Sequence, residues 1–153
     1  MTLTTGDKAP DFTLTDDSGT LRTLSELLAA GPVVLFFYPA ANTSGCTAEA
    51  CHFRDLAAEF TAVGAQRLGI SVDDVAAQKS FTDKNSFDYP LLSDIGGVVA
   101  AQFGVKRTGL LARLAAVKRA TFVIGADGII KEVITSETKM SLHADAALEA
   151  LKG

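Results

Sequence analysis

Residues 33–38 (VVLFFY) form a continuous β-branched and aromatic run, a pattern that predicts a strand buried on both faces. Pro39 ends it. Over residues 44–63, Phe53, Leu56, Ala57, Phe60 and Val63 recur at helical spacing, and Gly64 stands as a C-terminal stop. Upstream, residues 11–14 and 21–23 flank Asp-Asp-Ser-Gly and predict a short hairpin, after which Ser25 is expected to cap a brief helix ending at Gly31. Downstream, residues 66–72 (QRLGISV) read as a strand and 75–87 as a helix, completing a β-α-β unit whose two strands run parallel. Residues 89–92 read as a short strand or an extended segment and 95–103 as a helix closed by Gly104. The runs 121–124 and 129–134 straddle Gly125-Ala-Asp-Gly128, a hairpin signal, and Ser141 is expected to cap an amphipathic C-terminal helix.

An early β-α-β unit followed by a late hairpin and helix predicts an α/β chain: a mixed central sheet with helices on both faces and an N-terminal hairpin, the thioredoxin-like arrangement. No linker, internal repeat or low-complexity tract divides residues 1–153, and this length predicts a single domain able to bury a core without cross-links. The hydrophobic share of 48% agrees.

Charge narrows the partners. A formal net charge of −4 and a pI near 5.1 supply no basic footprint for nucleic acid or an anionic membrane. No apolar run approaches the roughly 18 residues of a spanning helix, and residues 1–12 carry no signal-peptide core, so a cytoplasmic location is expected. In that setting two cysteines point to catalysis, redox chemistry or plain burial rather than a permanent bridge.

Both cysteines lie in residues 39–51, PAANTSGCTAEAC, where a loop becomes a helix. Cys46 falls in the first helical turn, whose amides are unpaired and favour an anion. Cysteine reacts as its thiolate, and the ordinary thiol pKa of about 8.5 falls beside a helix N-terminus or a cation. Thr43 is placed to cap the helix and to offer a hydroxyl to sulfur or a bound oxygen. The stretch reads as an activated nucleophile.

Pro39-x-x-x-Thr43-x-x-Cys46, followed by Cys51, resembles the active-site loop of the peroxiredoxins, and the five-residue cysteine spacing is similar to the bacterioferritin-comigratory (Q-type) subfamily. GDKAPDFTL, VVLFFYP, FRDL, LLSD and ATFVIGADGII extend the resemblance over nearly the whole chain, in the family's order. It implies a thiol peroxidase without metal or prosthetic group. Cys46 would be the peroxidatic cysteine, Cys51 the resolving one, Thr43 a hydroxyl donor and Pro39 the shield of the pocket; Arg119 would be the active-site arginine and Glu49 the carboxylate that holds it. The implied substrates are hydrogen peroxide and organic hydroperoxides, the implied reductant is a thioredoxin-like or glutaredoxin-like dithiol protein, and a monomer is expected, with a weak dimer as the alternative. Five residues of helix are a rise of about 7.5 Å and a rotation of about 140°. Bridging Cys46 and Cys51 would therefore require the first turns of the helix to unwind.

Other readings stand beside this one. Free cysteine is often a buried small hydrophobe. A different class of function is a thiol-disulfide carrier or redox sensor using the Cys46/Cys51 couple, though the chain lacks a Cys-x-x-Cys; a third is a binding module with both thiols inert. Arg119 could be a solvated charge at a strand edge and Glu49 an exposed helix charge. His52 reads as a surface residue, and His143 has no catalytic partner near it in sequence. Two histidines and two cysteines at these separations do not match zinc-ligand spacing, so no metal is expected.

The chain departs from the subfamily pattern at Ala40-Ala41 (usually Lys-Asp), Ser44 (usually Pro), Ala120 (usually Ser) and Gly125 (usually Asp). Ser44 frees the helix start and favours unwinding. In residues 106–118 (KRTGLLARLAAVK), Leu110, Leu111, Leu114 and Val117 line one face of an expected helix, either packed over the sheet or forming an apolar rim for organic hydroperoxides or a second subunit.

Overall fold

The computed structural model describes residues 2–152, with every side chain among them except those of Leu111 and Leu114. The strands are β1 (Thr13–Asp16), β2 (Leu21–Thr23), β3 (Val33–Phe37), β4 (Gln66–Ser71), β5 (Leu91–Ser93), β6 (Ala120–Ile124) and β7 (Ile130–Thr135), joined in one sheet of order β2-β1-β5-β4-β3-β6-β7. β3, β4 and β5 are parallel; the remaining pairings are antiparallel. The helices are α1 (Leu24–Leu28), α2 (Ser44–Asp55), α3 (Ala57–Ala62), α4 (Val75–Asn85), α5 (Val98–Phe103), α6 (Leu111–Leu114) and α7 (Met140–Lys152).

Every residue of β3 is buried, because the pleat sends alternate side chains into two separate cores. Val33, Leu35 and Phe37 pack with Leu24, Val99, Phe103 and Phe122 under α1 and α5. Val34, Phe36 and Tyr38 pack with Cys46, Phe53, Phe60, Phe81, Ala144 and Leu148 under α2, α3, α4 and α7. On that second side Phe36 stacks on Phe53 with ring centroids 4.2 Å apart, fixing α2 against the sheet.

The expected elements appear, with five local corrections, of which the first is that the helix expected over 95–103 starts only at Val98, because Gly96 and Gly97 take left-handed φ values of 79° and 71°. Ser25 lies inside α1 rather than capping it: the N-cap is Thr23, and Asp11 accepts from the Ser25 backbone N–H at 2.9 Å. Ser141 likewise lies inside α7, while the Ser136 hydroxyl accepts from the Lys139 N–H ahead of it. The helix expected over 44–63 breaks at Leu56, whose φ of −95° and ψ of 21° leave the helical region; the kink is local, so the apolar spacing carries through it. Residues 106–118 are not one helix. Lys106 and Val117 form an antiparallel bridge, Gly109 takes a left-handed φ of 64°, and only Leu111–Leu114 turn helically. Leu110 is exposed and Val117 is in the core, so they share no face; the part of that expectation resting on the Leu111 and Leu114 side chains lies outside the described residues.

Candidate active site

β3 delivers the chain to the carboxyl edge of the parallel strands, where open α/β sheets gather their ligands. The loop between β3 and α2 is held from outside: the Ala41 N–H donates to Asp73 Oδ2 at 2.8 Å, and the Ser71 hydroxyl donates to the same oxygen at 2.6 Å. Cys46 then falls in the first turn of α2 as a free thiol, 1% exposed. Its neighbour Gly45 allows a close approach, since a Cβ there would stand 3.1 Å from Met140 Cε and 3.3 Å from Arg119 Nη2.

Arg119 precedes β6 and is buried. One arm of its guanidinium, Nη2, donates to Cys46 Sγ at 3.4 Å; the other, Nη1, donates to Glu49 Oε1 at 2.8 Å. Its backbone N–H donates to Glu137 Oε2 at 3.1 Å, and Arg107 reaches that oxygen at 3.2 Å. Glu49 lies on α2 and is fully buried. Burial pushes its carboxyl up to about 8, although Arg119 pulls the other way. Burial works against the charge on Arg119 as well, but Glu49 and Cys46 beside it raise its pKa above the ordinary value.

The structure thus brings Cys46, Glu49 and Arg119 together, and neither Arg119 nor Glu49 is the solvated surface charge it could have been. Thr43 is the N-cap residue of α2 but makes no side-chain cap bond, which corrects that expectation: its hydroxyl donates to the Ala40 carbonyl at 2.9 Å. The Thr43 side chain is exposed and Pro39 is half-buried at the loop's start. Cys51 stands apart, half-buried with its sulfur 3.7 Å from Asn85 Oδ1 on α4. His52 pairs with Asp145 at 2.7 Å.

His143 is the residue that sequence reasoning missed. It is fully buried on α7, with Nδ1 2.8 Å from Thr121 Oγ1 and 3.5 Å from Glu49 Oε2, and Nε2 2.9 Å from the Ser136 carbonyl. Burial lowers its pKa, partly offset by the Ser136 carbonyl. The available signal was its place on the apolar face of an amphipathic helix with Ala144 and Ala147, where an imidazole must find polar partners.

Among the described residues no group of three His, Cys, Asp or Glu side chains is arranged to hold a metal ion, and no helix is long and apolar enough to cross a membrane. A cavity of about 420 Å³ lined by Lys8, Asp11, Leu24, Leu28 and Gly128 sits at the opposite end of β3 and is no part of this site.

Residues 5–133 match the AhpC/TSA family. The crystal structure of peroxidoxin BcpB from Mycobacterium tuberculosis superposes with a TM-score of 0.93 at 61% identity, covering 98% of this chain and 97% of that one. A structure of the bacterioferritin comigratory protein of Xanthomonas campestris, described in terms of its alkyl peroxide reduction activity, superposes at 0.83 with 33% identity over 92% of this chain and 90% of that one. The chloroplastic peroxiredoxin Q of Arabidopsis thaliana is 40% identical over 147 residues, 96% of this chain and 66% of that protein. With a cysteine at the head of α2, an arginine on its sulfur and these relatives, the chain belongs to the AhpC/TSA family, as a peroxiredoxin of the bacterioferritin-comigratory, Q-type group.

Proposed function

We propose that the protein reduces hydrogen peroxide and organic hydroperoxides with the Cys46 thiolate, and that Cys51 resolves the product. The observation that carries this reading is the Arg119 fork, which puts one N–H on the Cys46 sulfur and anchors the other on Glu49. A peroxide has no charge to grip, so the site must align its O–O axis with the sulfur and stabilise the leaving oxygen as it becomes negative. Sulfur attacks the distal oxygen; the S–O bond forms as the O–O bond breaks, and the departing hydroxide or alkoxide takes a proton. Arg119 favours the anion first on sulfur and then on the leaving oxygen. Thr43 supports the pocket's mouth with a hydroxyl oxygen still able to accept, and Pro39 shields it. The kinship with the Xanthomonas protein supports organic hydroperoxides as substrates.

Cys46 sulfenic acid is open to further oxidation unless a thiol traps it. Attack by the Cys51 thiolate would form the S–S bond as the S–O bond breaks, releasing hydroxide, which takes a proton to become water. The two cysteines lie on one intact helix, so this step requires α2 to open at its start. An external dithiol of the thioredoxin or glutaredoxin type in the cytoplasm would then reduce the disulfide. Stopped-flow mixing of the reduced protein with sub-stoichiometric hydrogen peroxide and cumene hydroperoxide, read by mass spectrometry, tests the scheme. Fast oxidation lost in Cys46→Ser, a Cys46–Cys51 disulfide in the parent and sulfenic acid in Cys51→Ser are expected. A reaction no faster than that of a free thiol sinks it.

A further inference from the structure

Behind Arg119, Glu49 and His143 face each other with no assigned hydrogen between them. His143 Nε2 meets the Ser136 carbonyl at 2.9 Å, and a carbonyl only accepts, so Nε2 carries the ring hydrogen. In the neutral ring Nδ1 is then a bare lone pair, and the Thr121 hydroxyl at 2.8 Å and Glu49 Oε2 are the two groups that can address it. Glu49 Oε2, 3.5 Å from that same nitrogen, is buried and has no hydrogen-bond partner. An ionised carboxylate oxygen without a donor, enclosed by protein, is a costly state. One proton relieves it, on Oε2 pointing at Nδ1 or on Nδ1 pointing at Oε2.

We propose that Glu49 Oε2 and His143 Nδ1 share one proton, and that His143 thereby sets the charge Glu49 presents to Arg119, making His143 a positioning residue for the reaction at Cys46. This rests on the peroxidase reading above. The groups facing Glu49 are Arg119 ahead of β6, His143 on α7, Glu137 between β7 and α7, the Tyr89 phenol before β5 and Cys46 on its own helix. With the proton in place Arg119 faces a single anion, the sulfur. Once it leaves, Arg119 is divided between a full carboxylate at 2.8 Å and the sulfur at 3.4 Å, and less of its charge is free for the leaving oxygen. Burial raises Glu49 and lowers His143, so the proton resides on the carboxyl below about pH 8.

The test is the pH profile of the rate of Cys46 oxidation by hydrogen peroxide in the Cys51→Ser background. A falling limb near pH 8 is expected, absent in Glu49→Gln. In His143→Asn a side-chain amide can donate to Oε2 without titrating, so the limb should move down by a unit or more, a tenfold change in the acid constant. In His143→Leu the nitrogen that accepts the carboxyl proton is gone, so the protonated form loses its partner and the limb should also move down. A histidine that merely packs would change the height of the profile and leave its midpoint in place. An unmoved midpoint in both folded variants, or a limb that persists in Glu49→Gln, overturns the proposal. If the His143 variants fail to fold, imidazole nitrogen NMR of the otherwise unsubstituted protein decides: the His143 Nδ1 shift should step at the limb's midpoint and lose that step in Glu49→Gln, and a featureless titration refutes the shared proton. Peroxide consumption no faster than a free thiol at every pH would instead refute the peroxidase reading, while the NMR titration still reports on the proton.

Discussion

Arg119→Lys isolates what the guanidinium fork contributes. Arg119→Ala would leave the buried Glu49 Oε1 without its donor, and an unsatisfied buried polar group costs about 1–3 kcal/mol, enough to confuse activity with folding. Lysine keeps the charge but brings a single ammonium to a place where two N–H groups, on separate nitrogens, reach Glu49 at 2.8 Å and Cys46 at 3.4 Å. It can serve one of them. With the assay run above about pH 8, where Glu49 is a carboxylate and the shorter contact, the ammonium should settle there and the sulfur should lose its donor. A hydrogen bond to a charged group contributes about 1.5–3 kcal/mol, which sets the expected loss in single-turnover oxidation of Cys46 at about 10- to 150-fold. The assay is stopped-flow with sub-stoichiometric hydrogen peroxide in the Cys51→Ser background, with thermal unfolding and near-UV circular dichroism as folding controls. A folded variant that reacts within about threefold of the parent would refute the assignment of Arg119 to the reacting sulfur.

Glu49 ties stability to pH. Its carboxyl is raised from 4.5 to about 8 by burial, so the folded state holds that proton more tightly; its contribution is complete below pH 4.5 and is lost as pH rises through 8. At about 1.4 kcal/mol per unit the single-site upper bound is about 5 kcal/mol, and urea unfolding from pH 5 to 8.5 should show the decline and its flattening in Glu49→Gln. His143, lowered by burial, gives the opposite slope below its ordinary value of 6.5, weakening the fold as acid charges the ring. Gly69→Ala should cost about 1–3 kcal/mol and lower the melting temperature by several degrees, because a Cβ there would meet Leu91 Cδ2 at 2.6 Å and Phe36 Cζ at 3.0 Å; an unchanged melt contradicts the packing described. On oxidation by peroxide, amide exchange should accelerate from Ser44 to about Glu49 and stay slow at Phe53, whereas equal protection throughout α2 before and after would count against resolution by Cys51.

The β3–loop–α2 unit was legible because its signals are local: an apolar run, a proline and a return of helical spacing. The parallel β3–β4 pair and the two hairpins were legible as well, since their connections are local, whereas the β1–β5 and β3–β6 pairings that order the sheet join segments far apart in sequence. The meeting of Arg119 with Cys46 and Glu49 is a tertiary fact, and only resemblance to a family anticipated it. His143 shows the limit of pattern reading. It occupies a core-facing position of α7, and nothing within that helix marks Glu49, on another element, as its neighbour. The cap of α1 escaped for the same reason: Ser25 is a favoured cap type, but Asp11 reaches that helix from fourteen residues upstream. In residues 106–118 the apolar spacing suggested a helix, yet Val105 and Val117 are pinned in the core as the two ends of a loop.

The two ends of α2 are built for different tasks. Its later part is fastened from three sides: Tyr89 donates its hydroxyl to the Ala50 carbonyl at 2.7 Å, Arg67 donates to the Phe53 carbonyl at 2.9 Å, and the Phe53 ring stacks between Phe36 and Phe60. The first turn has little of this. The Thr43 hydroxyl is turned to Ala40 instead of capping, Ser44 lacks the fixed φ of a proline, and Gly45 gives the turn no side chain to pack. Opening the helix therefore costs least at its head, where Cys46 sits, and most beyond Ala50, where Cys51 begins the fastened half. A resolving step that carries Cys46 out to Cys51 keeps Phe53 in the core, whereas carrying Cys51 to Cys46 would tear the stack from the sheet. The same first turn is closed over by Arg119 and Met140, so the contact proposed to ready the sulfur for peroxide also holds the helix shut. If Cys46 passes to a neutral sulfenic acid as proposed, the charge that Arg119 would hold there is gone, and the turn that resolution by Cys51 would open is loosened.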